Sequence, residues 1–254
     1  MANKIKVMIN GISGRMGTEV ESMLKNGASN NMELIGGVSL ESSREELINL
    51  LSKSDLVIDF SSPEGSISLA NAIKTNNLTN KKILLCTTGF SDLQISDLKS
   101  ITKSQKCTML QAPNTSLGIL ALYKSACGLA SSLFDHGFDI EIVETHHSKK
   151  IDAPSGTALF LGDGICNATG ATQVLGHPIN KKRESNTIGM HAIRGGGVYG
   201  EHEIRFLSDH EEITISHRAL SRSLFARGAI VLSALLAKQT TGFLEYGDLN
   251  LSDL

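Results

Sequence analysis

Residues 5–17 read Ile5-Lys6-Val7-Met8-Ile9-Asn10-Gly11-Ile12-Ser13-Gly14-Arg15-Met16-Gly17. The run 5–9 is apolar apart from Lys6 and suits a buried strand. Glycines follow at 11, 14 and 17, spaced GxxGxxG rather than GxGxxG. Beyond them Met16, Val20, Met23 and Leu24 recur at helical spacing, with Glu19 and Glu21 between. A strand, a glycine turn and a helix give such glycines their meaning. They allow a tight turn and close backbone approach, and the helix N-terminus faces a pyrophosphate. The spacing predicts a dinucleotide seat formed by Gly11, Ile12, Ser13, Gly14, Arg15 and Met16. The competing reading is a turn with a structural role only, and the flanking strand and helix favour the seat.

Outward from this unit the alternation continues. Strands are expected over 34–38, 56–60, 83–86 and 108–112. Helical patterns lie between them, through Leu47, Leu50 and Leu51, then Ile67 to Ile73, then from a Ser91 cap to Leu98. Strands alternating with helices imply a parallel sheet, and ligands of such sheets bind outside the carboxyl ends of the strands. The tips holding Phe60, then Cys86, Thr87 and Thr88, then Ala112, Pro113, Asn114 and Thr115 are therefore expected to lie along a cofactor. In such folds an acid after the second strand binds the adenine ribose. Glu41 is the nearest, suited to a 2′-hydroxyl, while Arg44 suits a 2′-phosphate. Both also read as charges at the start of the next helix, so NADH and NADPH stay open.

The pattern changes after Asn114. Residues 117–133 read as a long apolar helix and 138–145 as a strand. A helix begins at Thr157, and 176–186 is polar. Three strand-like runs follow, over 188–194, 201–207 and 212–217, the last two joined as a hairpin. A Ser223 cap then opens a very apolar helix ending near Gly242. It is expected to pack back on the first domain, leaving 243–254 as a tail. The fold class expected is α/β: a Rossmann-type parallel-sheet dinucleotide-binding domain of residues 1–115 and 222–254, plus an α+β domain with a mixed sheet, residues 116–221.

Composition narrows the function. The chain has 254 residues, is 41% hydrophobic and carries a formal charge of −2. That size buries a sizeable core, and near-neutral charge speaks against nucleic acid or an anionic membrane as partner. No apolar run is read as approaching bilayer-spanning length, and the N-terminus is read as lacking a signal peptide. Cys86, Cys107, Cys127 and Cys166 show no CxxC or metal-finger spacing, which points to a reduced, cytoplasmic protein. No HExxH occurs, and neighbouring strand residues His146 and His147 point to opposite faces, so no metal is expected.

The chemistry concentrates in residues 141–158, EIVETHHSKKIDAPSGTA. A strand ends in His146, His147, Lys149 and Lys150; a Pro154-Ser155-Gly156 turn follows, then a helix. Acid/base groups thus stand before a helix N-terminus, an anion seat. The bland reading is a basic loop joining strand to helix. Gly-x-Ser-x-Gly is absent, and Ser155 reads as a helix cap rather than a nucleophile. Combined with a nicotinamide fold, a His/Lys pair beside a bound carboxylate fits a dehydrogenase or reductase of a small anionic substrate.

The string from Glu144 to Ala158 also resembles the signature of the 4-hydroxy-tetrahydrodipicolinate reductase (dihydrodipicolinate reductase) family. Gly14-Arg15-Met16-Gly17, Asp59-Phe60-Ser61, Thr87-Thr88-Gly89-Phe90, Gly200-Glu201-His202 and the run from Ser221 to Gly228 fall in the family's order. The resemblance implies an NADH- or NADPH-dependent conjugate reduction of a cyclic unsaturated imine dicarboxylate in lysine and diaminopimelate synthesis. It implies that residues 116–221 bind substrate and form a homotetramer. It matches His146 to the acid/base histidine and Lys150 to the proton-donating lysine. His147 matches a substrate contact, and Gly156 and Thr157 the residues holding a substrate carboxylate; Lys149 is left to solvent. The chain departs from the family pattern at Cys86, where glycine is usual, at Thr115, where phenylalanine is common, and in a short 38–55 segment that aligns Glu41 poorly. A nicotinamide-binding sensor without turnover is the alternative. A semialdehyde dehydrogenase would need a nucleophilic cysteine, which 141–158 lacks.

Overall fold

The structure is a computed structural model and describes residues 4–177, 180–250 and 252. The chain divides into two compact units, Met1–Ser116 with Ser223–Leu254, and Leu117–Arg222.

The first unit holds β1 (Ile5–Asn10), α1 (Arg15–Lys25), β2 (Met32–Val38), α2 (Arg44–Lys53), β3 (Leu56–Asp59), α3 (Pro63–Thr75), β4 (Lys82–Leu85), α4 (Asp92–Ser104) and β5 (Thr108–Gln111). Its inner strands are short and buried on both faces, as parallel strands between helices must be; β3 shows no exposed position. Serine side chains start three of these helices, at Ser91 as the sequence reading placed a cap and at Ser43 and Ser62 where it placed none. Ser43, Ser62 and Ser91 each accept from the backbone N–H of the third helical residue, and Ser91 closes a capping box with Gln94. Such a cap contributes about 1 kcal/mol. Leu51, Leu69, Ile73, Leu98 and Ile101 from α2, α3 and α4 pack with Met8, Val57, Ile83 and Met109 of the sheet.

With β11 (Gly242–Glu245) from the far end of the chain, strand order is β11-β5-β4-β3-β1-β2, every pairing parallel. β1 therefore has β2 on one side and β3 on the other. The chain reverses its progress across the sheet there, and the carboxyl ends of β1 and β3 flank the crevice where open α/β sheets take ligands. The sheet's last strand is β11 (Gly242–Glu245), pairing with β5 through Gly242↔Thr108 to Glu245↔Gln111. Residues 243–254, expected as a tail, thus begin inside a strand; 251, 253 and 254 lie outside the described residues. The apolar α7 (Ser223–Lys238) packs against α1, β3 and β4 and stops four residues before Gly242.

The second unit opens with α5 (Leu117–Leu133), continuing into a 3-10 turn, Phe134–His136. Then come β6 (Asp139–His146), α6 (Gly156–Thr169), β7 (Thr172–Leu175), β8 (Thr187–Arg194), β9 (Glu201–Leu207) and β10 (Glu212–Arg218). Strand order is β10-β9-β6-β8-β7, with β6, β7 and β8 parallel and β9 and β10 antiparallel to their neighbours. α5 and α6 pack on each other and on one face of this mixed sheet. β7 falls in a stretch read as connection, and the polar segment 176–186 includes residues 178 and 179, outside those described. With its 3-10 extension the unit's first helix runs Leu117–His136, 20 residues, with a mean hydropathy of 1.4 over its most apolar 18-residue window. By length and composition alone that is enough to cross a membrane, a correction to the reading that no apolar run approaches such a length. The sequence reading ended the run at Leu133, before the 3-10 turn.

Candidate active site

In the first unit the glycine turn is shaped by backbone crowding. Gly11 has φ +87°, and a Cβ there would stand 2.6 Å from Phe60 O. A Cβ on Gly17 would stand 2.2 Å from Gly11 O, so only glycine lets α1 press against the turn. Gly14 is the N-cap of α1 and gives no side-chain cap. The helix's first N–H groups, which have no intrahelical acceptor, thus meet no N-cap side chain. Ile12 and Met16 are half-buried; Ser13 and Arg15 are exposed. A backbone-lined turn with an uncapped helix start fits a pyrophosphate.

Across the β1/β3 crevice lies a carboxylate that sequence reasoning gave no role. Asp59 is fully buried. Its Oδ1 accepts from Asn10 Nδ2 (3.0 Å), Ser61 N (3.0 Å), Ser61 Oγ (2.6 Å) and Thr87 Oγ1 (3.5 Å), and its Oδ2 from Ser66 Oγ (2.5 Å). Burial pushes its carboxyl above the ordinary range, and the hydroxyl, amide and backbone donors pull against it. Asp59 so ties together the ends of β1, β3 and β4.

The remaining expected cofactor residues sit at these strand ends. Phe60 N donates to Asn10 O, Cys86 N to Asp59 O and Ala112 N to Leu85 O. Thr88 and Pro113 are exposed, Asn114 half-buried, and Glu41 exposed with its N–H on Ser39 Oγ. Cys86 is buried, and its thiol is pushed well up by burial and by nearby Asp59. It is not among the positive-φ residues, so its backbone does not require glycine. The Thr115 hydroxyl donates to Phe225 O (2.7 Å) at the start of α7, and a Cβ on Gly228 would collide with Thr115 O at 1.8 Å. That side chain serves packing of the unit.

In the second unit β6 alternates, so Glu144 and His146 share the face under α5 and α6. Glu144 is fully buried and His146 nearly so. Glu144 Oε2 pairs with His146 Nδ1 (2.5 Å) and accepts from Arg194 Nη1 (2.8 Å); Oε1 accepts from Arg194 Nη2 (2.6 Å) and Ser155 N (2.9 Å). Burial favours the neutral carboxyl, but the Arg194, His146 and Ser155 donors outweigh it and hold Glu144 below the ordinary range. His146 is lowered, first by burial, with Lys150 and Arg194 adding to it and Glu144 opposing.

Ser155 caps α6, accepting from Ala158 N (3.2 Å), and its hydroxyl also meets His202 Nε2 (3.2 Å). His202 stacks edge-to-face on His146, with ring centroids 5.3 Å apart. Burial, then the neighbouring His146, lowers it to about 3. Gly156 is the first residue of α6, and a Cβ added there would meet nothing within 4 Å. Lys150 Nζ pairs with Asp152 Oδ1 at 2.8 Å. His147 N donates to Val198 O, and its buried Nδ1 has no hydrogen-bond partner among the described residues. Lys149 is exposed.

The structure thus gathers His146, Lys150, Gly156 and Thr157 around one strand-to-helix junction. It adds Glu144, Ser155, Arg194 and His202, to which the sequence gave no part in the chemistry. Glu144 was readable as the acid two residues before His146 on a strand. Arg194 and His202 were not, because only the β6–β8 and β6–β9 pairings bring them there. Among the described residues no group of three or more His, Cys, Asp or Glu assembles to hold a metal.

Comparison with known proteins places the chain in a family. The family model "Dihydrodipicolinate reductase, N-terminus" matches residues 5–115, and "Dihydrodipicolinate reductase, C-terminus" matches residues 118–249. The 4-hydroxy-tetrahydrodipicolinate reductase of Clostridium novyi is 35% identical over 252 residues, covering 96% of this chain and 97% of that one. The enzyme of the same description from Burkholderia mallei is 34% identical over 271 residues, covering 97% and 98%. The dipicolinate-bound dihydrodipicolinate reductase of Paenisporosarcina sp. TG-14 superposes with a TM-score of 0.76 at 25% identity, covering 97% of this chain and 100% of that one. With nearly every residue from Ile5 to Leu249 matched, the chain belongs to the dihydrodipicolinate reductase family, the nicotinamide-dependent oxidoreductases that reduce 4-hydroxy-tetrahydrodipicolinate in lysine and diaminopimelate biosynthesis.

Proposed function

We propose that the junction after β6 carries the proton chemistry of this reduction and that the strand ends of the first unit hold the nicotinamide cofactor. Reduced nicotinamide, when bound, supplies the hydride. The chain's own residues do the rest. Gly156 and Thr157 at the start of α6 take a substrate carboxylate on backbone N–H groups, and His147 contacts the substrate. His146 works as acid/base through Nε2, and Lys150, oriented by Asp152, delivers a proton. The supporting observation is the coincidence of Glu144-bound His146 with an open helix start at Gly156.

Gly11, Ile12, Ser13, Gly14, Arg15 and Met16 form the pyrophosphate turn. The donor is NADH or NADPH, with Glu41 suited to a ribose hydroxyl and Arg44 to a phosphate. The chain is cytoplasmic and acts as a homotetramer. The tetramer is supported by the sheet face of the second unit opposite α5 and α6, where Arg205, Thr214, Ser216 and Arg218 stay exposed in the single chain. Purified protein given the product of dihydrodipicolinate synthase should oxidise NADH or NADPH. No oxidation of either would defeat the assignment of turnover and leave a cofactor-binding sensor. Light scattering reads the oligomer, and a monomer at micromolar concentration would defeat the tetramer.

A further inference from the structure

Glu144 is not explained by holding strands together. It is a fully buried carboxylate whose two oxygens meet four hydrogen-bonding nitrogens from three places in the chain: His146 on its own strand, Arg194 with two nitrogens, and the backbone of Ser155. Arg194 is itself fixed, since Nη2 also donates to Asp152 O (2.6 Å) and Nη1 to Ile193 O (2.8 Å). An ionised carboxylate only accepts, so an imidazole nitrogen 2.5 Å from it must carry the hydrogen. In the neutral ring the lone pair is then on Nε2.

We propose that Glu144, locked by Arg194 and the Ser155 backbone, is the positioning residue that holds His146 with its proton on Nδ1 and Nε2 as the working atom. The proposal rests on His146 being the acid/base group.

Two further observations fit. Gly200 packs on the other end of the ring, where a Cβ would come within 3.0 Å of Nε2, so glycine leaves that nitrogen room. The other ionisable groups at His146 are His202 from β9, Lys150 from the following loop, and Arg194 from β8. Lys150 and Arg194 are cations that disfavour imidazolium, and Glu144 is the one group there that favours it. Removing its charge while keeping its shape therefore leaves the two cations unopposed. Protonation of His146 becomes harder, and a neutral amide no longer dictates which ring nitrogen bears the hydrogen.

The test uses the full chain with three variants. His146→Gln identifies the limb of the kcat-versus-pH profile that depends on this histidine. Glu144→Gln should move that limb to lower pH by about half a unit or more and lower kcat roughly 10–100-fold with KM little changed. Glu144→Asp, which keeps the charge, should restore the limb toward its original position. A limb that stays in place in Glu144→Gln, while His146→Gln abolishes it, overturns the proposal. Unchanged turnover in His146→Gln overturns instead the reading of His146 on which it rests. Should Glu144→Gln not fold, nitrogen-15 shifts of the wild-type imidazoles decide: a proton on Nδ1 of neutral His146 is expected, and a proton on Nε2 refutes the proposal.

Discussion

Each unit presents a strand running into a helix N-terminus, and the two junctions are built from opposite materials. After β1 the turn is nearly all backbone. Glycines at 11 and 17 are pressed against carbonyl oxygens, and Gly14 leaves α1 without a side-chain cap. After β6 the junction is held mostly by side chains, with the Ser155 backbone N–H joining them. Ser155 caps α6, and Glu144, Arg194, His146, Lys150 and Asp152 interlock around it. A pyrophosphate is large and permanently charged, so main-chain N–H groups in a close-fitting turn suffice for it. Moving a proton needs a group whose charge changes, and that group needs neighbours that fix its tautomer and its titration. Under the proposed function, the same local geometry serves binding in one unit and acid/base work in the other.

The comparison breaks most sharply if proton chemistry survives loss of its side chains. His146→Gln or Lys150→Ala is expected to lower kcat roughly 10²–10⁴-fold with cofactor affinity unchanged, measured by steady-state rates alongside fluorescence titration of the dinucleotide. A variant that lost cofactor binding instead would place these residues on the wrong side of the contrast.

Next in size are the two glycines. Gly17→Ala drives a Cβ against Gly11 O and should destabilise the protein by about 1–3 kcal/mol and weaken cofactor binding, read by thermal melts with and without NADPH. Gly156→Ala meets open space, so the melting temperature should hold while KM for the dicarboxylate rises. Equal destabilisation by both would erase the distinction between a crowded turn and an open seat.

The side-chain junction should also make the protein acid-sensitive. His202 lies at about 3 in the fold against an ordinary 6.5, because burial disfavours its charge. As pH falls, the unfolded chain binds the proton first. Stability is thus complete above about pH 6.5 and is lost between 6.5 and 3, by about 1.4 kcal/mol per pH unit from this residue. His146 and His217 are lowered by the same burial and add in the same direction. Urea midpoints measured down this range should fall, and His202→Asn should flatten the slope; a slope unchanged in that variant refutes the assignment. The smallest effect belongs to exposed Lys149, whose change to Ala should alter stability by no more than about 0.5 kcal/mol and leave kcat in place.

Legibility followed the range of the interactions. The helix Leu117–Leu133 and the strand Glu201–Leu207 were readable to the residue, since apolar periodicity and the hairpin signal are local. β7 and β11 were not. Each has four residues, none buried, so neither shows the apolar alternation by which a strand announces itself. Both exist because a parallel neighbour offers hydrogen bonds. His146, Lys150 and the α6 seat lie within twelve residues of one another and were visible as a cluster.

By itself the sequence determined the alternating first unit, the glycine turn and the acid/base cluster, because hydrophobic period, glycine spacing and helix caps act over a few residues. Only the tertiary structure decided that the chain reverses direction at β1, that Asp59 ties three strand ends together, and that Arg194 and His202 close on Glu144 and His146. Those contacts join residues about fifty positions apart through strand register, and register is set by burial of a whole sheet face rather than by any short string.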